Sequence, residues 1–259
     1  MTSSAKLLEI EYKLVVTDKA DAVFDELSRL DVLAGCALGA IESRQIHDYY
    51  FDTHDNQLAK TGIALRVRQQ NGLQQLAIKA KEQTAETGLS RRFEWDQPWQ
   101  ADAFSRLFDE LAGLGVSITS VAFNTTDAVT LMQQAGFEII QDRTTQRIAR
   151  TLTCPQVNGE MELALDHTCY QVGSKYAESI DHFEIELEIR EAHALHAQTI
   201  VNALHNDYPV LIPWSHNKLI TGLALEQYPD LHNLQQSGSL GKAGYERLHV
   251  HIEHQWHQG

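Results

Sequence analysis

The sequence predicts an α+β fold: an eight-stranded antiparallel β-barrel, a tunnel, with helices packed on its outside. Eight segments are typical of strands, and most of them alternate charged with apolar residues, which puts the two kinds of side chain on opposite faces. About five segments have helical periodicity and need an apolar sheet surface to pack on. Eight antiparallel strands can close into a barrel, and the charged faces would then point inward.

The predicted strands and turns follow one another along the chain. The strands cover residues 8–16, 44–53, 62–70, 74–82, 89–96, 138–152, 160–171 and 180–190. Asn71-Gly72 predicts a tight hairpin between the third and fourth strands, and Asn158-Gly159 predicts another between the sixth and seventh. This spacing favours antiparallel neighbours.

The predicted helices lie between and after these strands. They cover residues 18–33, 101–114, 126–135, 192–206 and 216–227, with Asp18 and Thr126 as expected N-caps. Residues 1–233 are expected to form one domain with a helical insertion at about 97–136. Residues 234–259 are polar and contain His249, His251, His254 and His257, which could bind a metal, but we expect a frayed, solvated tail.

Alternation of charge is strongest in the first and last predicted strands. Glu9, Glu11 and Lys13 share one face of the first strand. Glu184, Glu186 and Glu188 share one face of the last. The same rule recurs at Arg66 and Arg68, Lys79 and Lys81, Arg92 and Glu94, and Glu160, Glu162 and Asp166.

A solvated charged face would satisfy the same alternation, so the barrel interior is one of two interpretations. Ordinary solvated faces carry more Ser, Thr and Gln, and the repeated pairs and triplets of like charge favour the interior. Burying unpaired charge costs several kcal/mol, so such an interior must be wet and compensated. A polyanion with divalent cations would compensate both signs at once.

Composition excludes several classes of function. The formal net charge of -14 over 259 residues disfavours binding to nucleic acid or to an anionic membrane surface. No apolar run is long enough to span a membrane, and the N-terminus lacks a secretory signal. Yet seven of the 21 Lys and Arg residues lie between Lys60 and Arg92. An acidic protein has concentrated its cations in one window.

Cys36, Cys154 and Cys169 show no metal-binding or redox spacing, and their odd number argues against a disulfide framework. We therefore expect a protein of the reducing cytoplasm.

The two kinds of charged face indicate a chemistry. Carboxylate oxygens are preferred ligands of Mg²⁺ and Mn²⁺, which usually bind through carboxylates, waters and substrate phosphates together. Arg offers a fork of donors to phosphate oxygens, and Lys adds a compact charge. Glutamates on some strands and Arg and Lys on others indicate a site for a metal-bound chain of phosphates.

An ordered set of motifs resembles the CYTH, or triphosphate tunnel metalloenzyme, superfamily. It comprises Glu9-x-Glu11-x-Lys13, Tyr49-Tyr50-Phe51-Asp52-Thr53, Leu65-Arg66-Val67-Arg68, Ala77-Ile78-Lys79, Arg92-Phe93-Glu94, Leu165-Asp166, Phe183 through Glu188, and Lys218. The resemblance covers residues 7 to about 227 and is closest to bacterial CYTH-type inorganic triphosphatases. It implies an eight-stranded tunnel that binds triphosphate with Mg²⁺ or Mn²⁺, with two ions expected.

The resemblance also implies roles for single residues. Metal ligands would be Glu9, Glu11, Asp166, Glu184, Glu186 and Glu188, with Glu11 and Glu186 counted as catalytic. Phosphate ligands would be Arg66, Arg68, Lys79, Arg92 and Lys218, and Lys13 would act beside the reacting phosphate. Lys81 has the same parity as Lys79 and is either a further phosphate ligand or solvated.

One further arginine is expected from the strand that precedes Asn158-Gly159. Arg143, Arg147 and Arg150 compete for this role, and alternation puts the first two on one face and Arg150 on the other. We favour Arg143 and Arg147 without separating them.

The predicted function is metal-dependent hydrolysis of inorganic triphosphate to pyrophosphate and phosphate by a cytoplasmic monomer or homodimer. Thiamine triphosphatase, nucleoside triphosphatase and class IV-type adenylate cyclase stay open as alternatives within the same fold. A non-catalytic polyphosphate- or nucleotide-binding module is the alternative from a different class.

Overall fold

The computed structural model describes residues 7–79, 83–84, 87–116, 118–119, 121–125, 127–172, 178–228, 235–236 and 239–256. The strands are β1 Leu7–Val16, β2 Val32–Leu33, β3 Cys36–Leu38, β4 Glu42–Thr53, β5 Ala64–Gln70, β6 Leu73–Lys79, β7 Gln83–Thr84, β8 Leu89–Pro98, β9 Phe137–Thr153, β10 Glu160–Val172, β11 Glu178–Ile189, β12 Leu211–Pro213, β13 Gln235–Gln236 and β14 Ser239–Leu240. The α-helices are α1 Ala20–Arg29, α2 Gln57–Thr61, α3 Ala101–Gly113, α4 Ala128–Gln134, α5 Ala194–Asp207, α6 Lys218–Gln227 and α7 Lys242–Trp256, and a 3₁₀ turn covers Glu191–His193.

Eight of the described strands have seven residues or more, and each corresponds to a predicted strand. Their hydrogen-bonded order is β1-β8-β6-β5-β4-β9-β10-β11, and β11 pairs antiparallel with β1. Neighbours β4 and β5, β5 and β6, β6 and β8, and β10 and β11 also pair antiparallel. The fold is therefore an α+β antiparallel β-barrel, and the predicted fold class is confirmed.

The chain divides into two units, and the first consists mainly of Ile46–Glu82 and Arg92–Arg143. Its core joins apolar strand residues such as Val67 and Leu76 to Leu107 of α3 and Leu131 of α4, all four fully buried. The predicted helical insertion therefore packs on the apolar sheet face of its own unit. The carboxylate of Asp127 caps α4 by accepting from the Thr130 amide at 3.0 Å, and Thr126, the expected cap, lies outside the described residues.

The second unit consists of Glu9–Gln45, Gln83–Arg91 and Thr144–Gly259. Its main core packs the apolar faces of β1, β10 and β11 against Leu27 of α1 and Leu204 of α5. Because residues alternate, the charged side chains of these three strands lie on the opposite face. The N-cap of α1 is Lys19 and makes no side-chain cap hydrogen bond, so the predicted cap at Asp18 is wrong.

The two predicted hairpins turned out differently. Asn71 and Gly72 have positive φ angles of 53° and 74° between β5 and β6, as a tight turn of this kind requires. The second strand pair is joined by a longer loop, because β9 ends at Thr153 and β10 begins at Glu160. Directly after β9 the Val157 amide donates to the Cys154 carbonyl at 3.1 Å, so the chain already turns before the Asn158-Gly159 pair.

Cys36 and Cys154 form a disulfide across 118 residues, so the expectation of no disulfide is wrong. β3 pairs antiparallel with β9, with Leu38 opposite Leu152, and this pairing brings the two cysteines together from distant parts of the sequence. Sequence spacing could not show a contact of this kind, and Cys169 stays free. Because disulfides are rare in reducing compartments, the pair gives no support to the cytoplasmic expectation.

The expectation of a frayed, solvated C-terminal tail is wrong for Lys242–Trp256, which form α7. Tyr245, Leu248 and Ile252 of this helix are buried in a cluster with Trp214 and with Leu225 of α6. These apolar residues are three and four positions apart, which is a helical spacing, but the polar residues and histidines around them made the segment resemble a solvated tail. No helix within the described residues has the length and apolar character to cross a membrane.

Candidate functional site

Charged residues of three neighbouring strands meet on one face in the second unit. Lys13 of β1 lies opposite Glu186 of β11, and Asp166 of β10 lies opposite Glu184. Directly opposed residues of antiparallel strands point to the same side of a sheet. The register therefore places on one face pairs of charged residues that are 18 and 173 positions apart in the sequence.

Lys218 contacts three of the carboxylates on this face. It begins α6, whose N-cap Asn217 accepts a hydrogen bond from the Ile220 amide at 3.0 Å. Its ammonium group donates hydrogen bonds to Glu184 and Glu186 and lies 3.1 Å from the Asp166 carboxylate. Asp166 and Glu184 are fully buried, and only 9% of Lys218 is exposed.

Arg147 of β9 completes what we call the carboxylate cluster: Asp166, Glu184, Glu186, Lys218 and Arg147. Its guanidinium donates to Asp166 from Nε at 2.7 Å and also donates to Glu186. The cluster thus holds three carboxylates and two cations, and none of these five side chains is more than 13% exposed. Arg147 is one of the two arginines favoured from the sequence.

The two cations favour the ionised forms of Asp166 and Glu186. Burial opposes ionisation, but Arg147 and Lys218 outweigh it and hold the pKa of Asp166 below its ordinary value. The same two cations hold the pKa of Glu186 well below its ordinary range. In turn, the three carboxylates outweigh the burial of Lys218 and raise its pKa well above the usual value.

Glu188 lies beside this cluster, where the attraction of Arg147 is weaker than the effects that oppose its ionisation. Desolvation of its carboxyl group and repulsion from Glu9, Glu162 and Glu186 raise the pKa of Glu188 to about 7. Glu188 also lies opposite Glu11 in the β1–β11 register. The six predicted metal ligands are thus all in the second unit, on three strands.

Two further residues support Glu184, and sequence reasoning missed both. His182 lies 3.3 Å from the Glu184 carboxylate through Nε2, and the Tyr245 hydroxyl lies 3.0 Å from His182 Nδ1. Both side chains are buried. His182 could have been found from the sequence, because it lies two residues before Glu184 on β11 and therefore on the same face of the strand. Tyr245 comes from α7, and no sequence pattern links it to Glu184.

Lys13 and Glu11 are buried neighbours on β1, with Lys13 Nζ 3.7 Å from the Glu11 carboxylate. The backbone of Lys13 is held on both sides, because its amide donates to Gly88 and its carbonyl accepts from Trp214, each at 3.0 Å. A Cβ at Gly88 would lie 2.4 Å from the Lys13 carbonyl oxygen, so this close approach requires glycine.

The first unit contains a second group, which we call the guanidinium cluster: Arg66, Arg68, Lys79, Arg143, Asp48 and Glu94. Asp48, only 1% exposed, accepts from Arg68 at 2.7 and 2.9 Å and from Arg143 at 3.3 Å. Glu94 accepts from Arg66 at 3.2 Å and pairs with Lys79 at 2.9 Å. Asp96 also lies 4.0 Å from Arg66, so four cations face three carboxylates among the described contacts, and positive charge is in surplus.

The cations of the guanidinium cluster lower the pKa values of Asp48 and Tyr50. Burial of Asp48 opposes its ionisation, but Arg68, Arg66 and Arg143 hold the pKa of its carboxyl well below the usual value. The Tyr50 hydroxyl accepts from Arg143 at 3.1 Å, and the neighbouring guanidinium groups overcome burial and lower the pKa of Tyr50. Sequence reasoning missed Asp48 and treated Tyr50 as part of the strand.

Four further residues considered from the sequence, Arg150, Arg92, Glu9 and Lys81, have no described place in either cluster. Arg150 donates to the backbone carbonyls of Ser28, Leu30, Leu38 and Gly39, which is a structural role and agrees with its opposite parity. Arg92 is half-buried in the first unit and Glu9 is half-buried in the second. Lys81 lies outside the described residues.

The chemistry of the carboxylate cluster fits a hard divalent cation. Oxygens of Asp166, Glu184 and Glu186 converge on one positively charged group, the Lys218 ammonium. Buried carboxylates that surround one cation are the donor set that Mg²⁺ and Mn²⁺ prefer. Asp166, Glu184 and Glu186, with Glu11 nearby in register, would hold such an ion once Lys218 turned away.

Comparisons with known proteins agree with this fold. The sequence profile of the CYTH domain matches residues 7–208. Among curated proteins, no sequence matches this chain. Solved structures with a similar fold include HpAC1 from Hippeastrum, described as an adenylyl cyclase candidate with a dominant triphosphatase activity. It shares 19% identity at a TM-score of 0.56, over 85% of this chain and 98% of that one.

Two further solved structures have lower TM-scores. An adenylate cyclase candidate from Bacillus halodurans shares 21% identity at a TM-score of 0.48, over 83% of this chain and 96% of that one. The PH1819 protein of Pyrococcus horikoshii shares 17% identity at a TM-score of 0.47, over 81% of this chain and 96% of that one. At these identities the likeness to solved structures concerns the fold.

Proposed function

Because this chain belongs to the CYTH domain family, we propose that it hydrolyses inorganic triphosphate to pyrophosphate and phosphate in a metal-dependent reaction. The observation that carries the proposal is the carboxylate cluster. Three carboxylates, of which Asp166 and Glu184 are fully buried, share one small volume with an ammonium and a guanidinium group. A binding module for phosphates could rely on cations alone, whereas this arrangement provides ligands for a metal as well.

The carboxylates would be the metal ligands. Arg147 and Lys218 lower the pKa of Asp166 and of Glu186, so these two carboxylates present oxygens without first losing a proton, and Glu184 is fully buried beside them. A bound Mg²⁺ or Mn²⁺ supplies charge neutralisation at phosphate oxygens and lowers the pKa of a bound water. His182 and Tyr245 would hold Glu184 in position for this task.

Lys218 and Arg147 would exchange partners when substrate binds. Both now compensate the carboxylates, and both carry donors that suit phosphate oxygens. We infer that Lys218 turns from the carboxylates to a phosphate oxygen. Lys13, buried beside Glu11, would stabilise the negative charge that develops on the transferred phosphoryl group.

The guanidinium cluster would also bind phosphate. Its surplus of positive charge is held in place by Asp48 and Glu94, which fix the directions of the arginine donors. Arg143 would serve this set and Arg147 the carboxylate cluster, so both favoured arginines have a role. Arg92 is proposed as a further phosphate ligand of the first unit.

A substrate panel tests the proposal. Purified protein with Mg²⁺ or with Mn²⁺ is given inorganic triphosphate, thiamine triphosphate and ATP, and released phosphate and pyrophosphate are measured separately. We expect phosphate release from inorganic triphosphate at the highest kcat/KM, and a loss of at least about a hundredfold in Glu11→Gln. Glu138→Gln, an exposed carboxylate paired only with His54 among the described contacts, is the matched control and should retain activity.

The other outcomes separate the alternatives. Faster phosphate release from ATP or from thiamine triphosphate would show that this compound, and not inorganic triphosphate, is the preferred substrate. Pyrophosphate release from ATP would indicate a cyclase. Tight binding of triphosphate without turnover in either metal would indicate a binding module and would refute the proposed hydrolysis.

A further inference from the structure

Three side chains that could bind a metal ion meet between α7 and the segment that leads into α6. They are His216, His249 and Glu253, and their ligand atoms all lie within 4.8 Å of one another. His249 and Glu253 are four residues apart on α7, so they lie on the same face of the helix one turn apart. His216 precedes α6 by two residues and comes from a different part of the chain.

The distances are close to those of ligands around one ion. His216 Nε2 lies 2.8 Å from His249 Nδ1 and 3.8 Å from the Glu253 carboxylate. Zinc binds nitrogen at about 2.0–2.1 Å, so two tetrahedral ligands lie roughly 3.3 Å apart. Each of these two distances therefore differs from the bound value by about half an ångström, and the ligand atoms of His249 and Glu253 lie within 4.8 Å of each other. Rotation of these two exposed side chains can bring the three atoms to the bound spacing.

The aromatic surroundings hold the rings in place. Trp214 packs edge-on against His216 with ring centroids 4.9 Å apart, and it also contacts the His249 ring at 6.4 Å. Trp214 is itself fixed, because its Nε1 donates to Thr221 at 3.0 Å and Tyr245 packs on it at 5.2 Å. Such neighbours orient metal ligands before the ion arrives.

We propose that His216, His249 and Glu253 form a binding site for a borderline divalent transition metal ion of the Zn²⁺ type. Two imidazoles and one carboxylate are a zinc ligand set, and three protein ligands leave a position for water. Imidazole nitrogen does not suit Mg²⁺, which prefers oxygen ligands, so this site differs in chemistry from the carboxylate cluster. The ion would tie α7 to the segment that carries Lys218.

Calorimetric titration of the full chain with Zn²⁺, in saturating Mg²⁺ to occupy oxygen sites, tests the proposal. We expect one Zn²⁺ per chain and at least a tenfold weaker affinity in His249→Ala and in Glu253→Gln. His254→Ala, an exposed histidine on the same helix, is the matched control and should bind as the unaltered protein does. Zn²⁺ at 100 times its Kd should also raise the Tm of the unaltered protein by about 5–10 °C, and that of His249→Ala by much less.

Absence of Zn²⁺ binding by the unaltered protein would overturn the proposal. So would an equal loss in His254→Ala and His249→Ala, because scattered helix histidines would then be the ligands. Circular dichroism establishes that the variants fold, and Glu253→Gln gives an independent answer where His249→Ala is unstable. None of these results depends on the triphosphatase assay.

Discussion

Replacing Lys218 by methionine removes the ammonium group from the carboxylate cluster while keeping a side chain of similar length. In the folded protein this ammonium contacts Asp166, Glu184 and Glu186, and 9% of the lysine is exposed. Removing one partner of a buried ion pair costs about 3–5 kcal/mol, because the other charge stays buried and uncompensated. Arg147 still compensates Asp166 and Glu186, so we expect the lower end, about 3 kcal/mol.

The assay is thermal and urea unfolding in EDTA and again with Mg²⁺ or Mn²⁺. At about 2–4 °C per kcal/mol, the Tm of Lys218→Met in EDTA should fall by roughly 6–12 °C. Divalent metal should then stabilise Lys218→Met more than the unaltered protein, because Lys218 no longer competes for the carboxylate oxygens. Lys60→Met, at an exposed lysine, is the control and should change stability by less than about 0.5 kcal/mol.

Two results would refute this reasoning about Lys218. Equal stability of Lys218→Met and the unaltered protein in EDTA would mean that the ammonium does not compensate the buried carboxylates. An equal or smaller stabilisation of Lys218→Met by divalent metal would mean that these carboxylates do not bind the ion.

Three further predictions concern other parts of the molecule. The pKa of Glu188 is raised from 4.5 to about 7, so the folded state binds more protons than the unfolded state between these pH values, and stability in EDTA should fall as pH rises through this window. Glu188 is exposed and its charge is screened by solvent, so the fall should be on the order of 1 kcal/mol. Glu188→Gln should lack this fall in urea unfolding at pH 5 and pH 8, and parallel pH profiles of the two proteins would contradict the prediction. The Cys36–Cys154 disulfide closes a loop of 118 residues, so its loss in Cys36→Ala/Cys154→Ala should lower the free energy of unfolding by about 2–5 kcal/mol. Reductant should lower the stability of the unaltered protein to the same level, and the control Cys169→Ala should change stability little. A Tm that does not respond to reductant would argue against the bond. Asp48→Asn should destabilise the first unit by about 3 kcal/mol, because Arg68 and Arg143 lose the carboxylate that pairs with them. Sulfate added at constant ionic strength should then raise the Tm of Asp48→Asn more than that of the unaltered protein. An equal rise of Tm in both proteins would show that the guanidinium cluster lacks surplus charge.

The long strands could be predicted because each one carries its own signal. Alternation of Glu184, Glu186 and Glu188 with apolar residues fixes both the strand and its two faces within a few positions. The same parity separated Arg143 and Arg147 from Arg150, which the structure uses to bind backbone carbonyls. Local periodicity is sufficient for decisions of this kind.

Contacts between distant segments could not be predicted in this way. The Cys36–Cys154 bond depends on the β3–β9 pairing, and the support of Glu184 by His182 and Tyr245 depends on where α7 packs. The C-terminal histidines suggested a solvated tail because polar composition concealed the helical spacing of Tyr245, Leu248 and Ile252. Asp48 was missed because a single acidic residue in a strand has no pattern around it.

The sequence by itself determined the α+β barrel, the strand faces and the kinds of charge those faces carry, because side-chain alternation is a property of neighbouring residues. Only the tertiary structure decided which charges meet. Lys218 joins Asp166, Glu184 and Glu186 because strand register and the start of α6 place them together. His216 meets His249 and Glu253 because the apolar face of α7 packs near Trp214. Register and helix docking are set by the burial of the whole apolar surface, which no short segment contains.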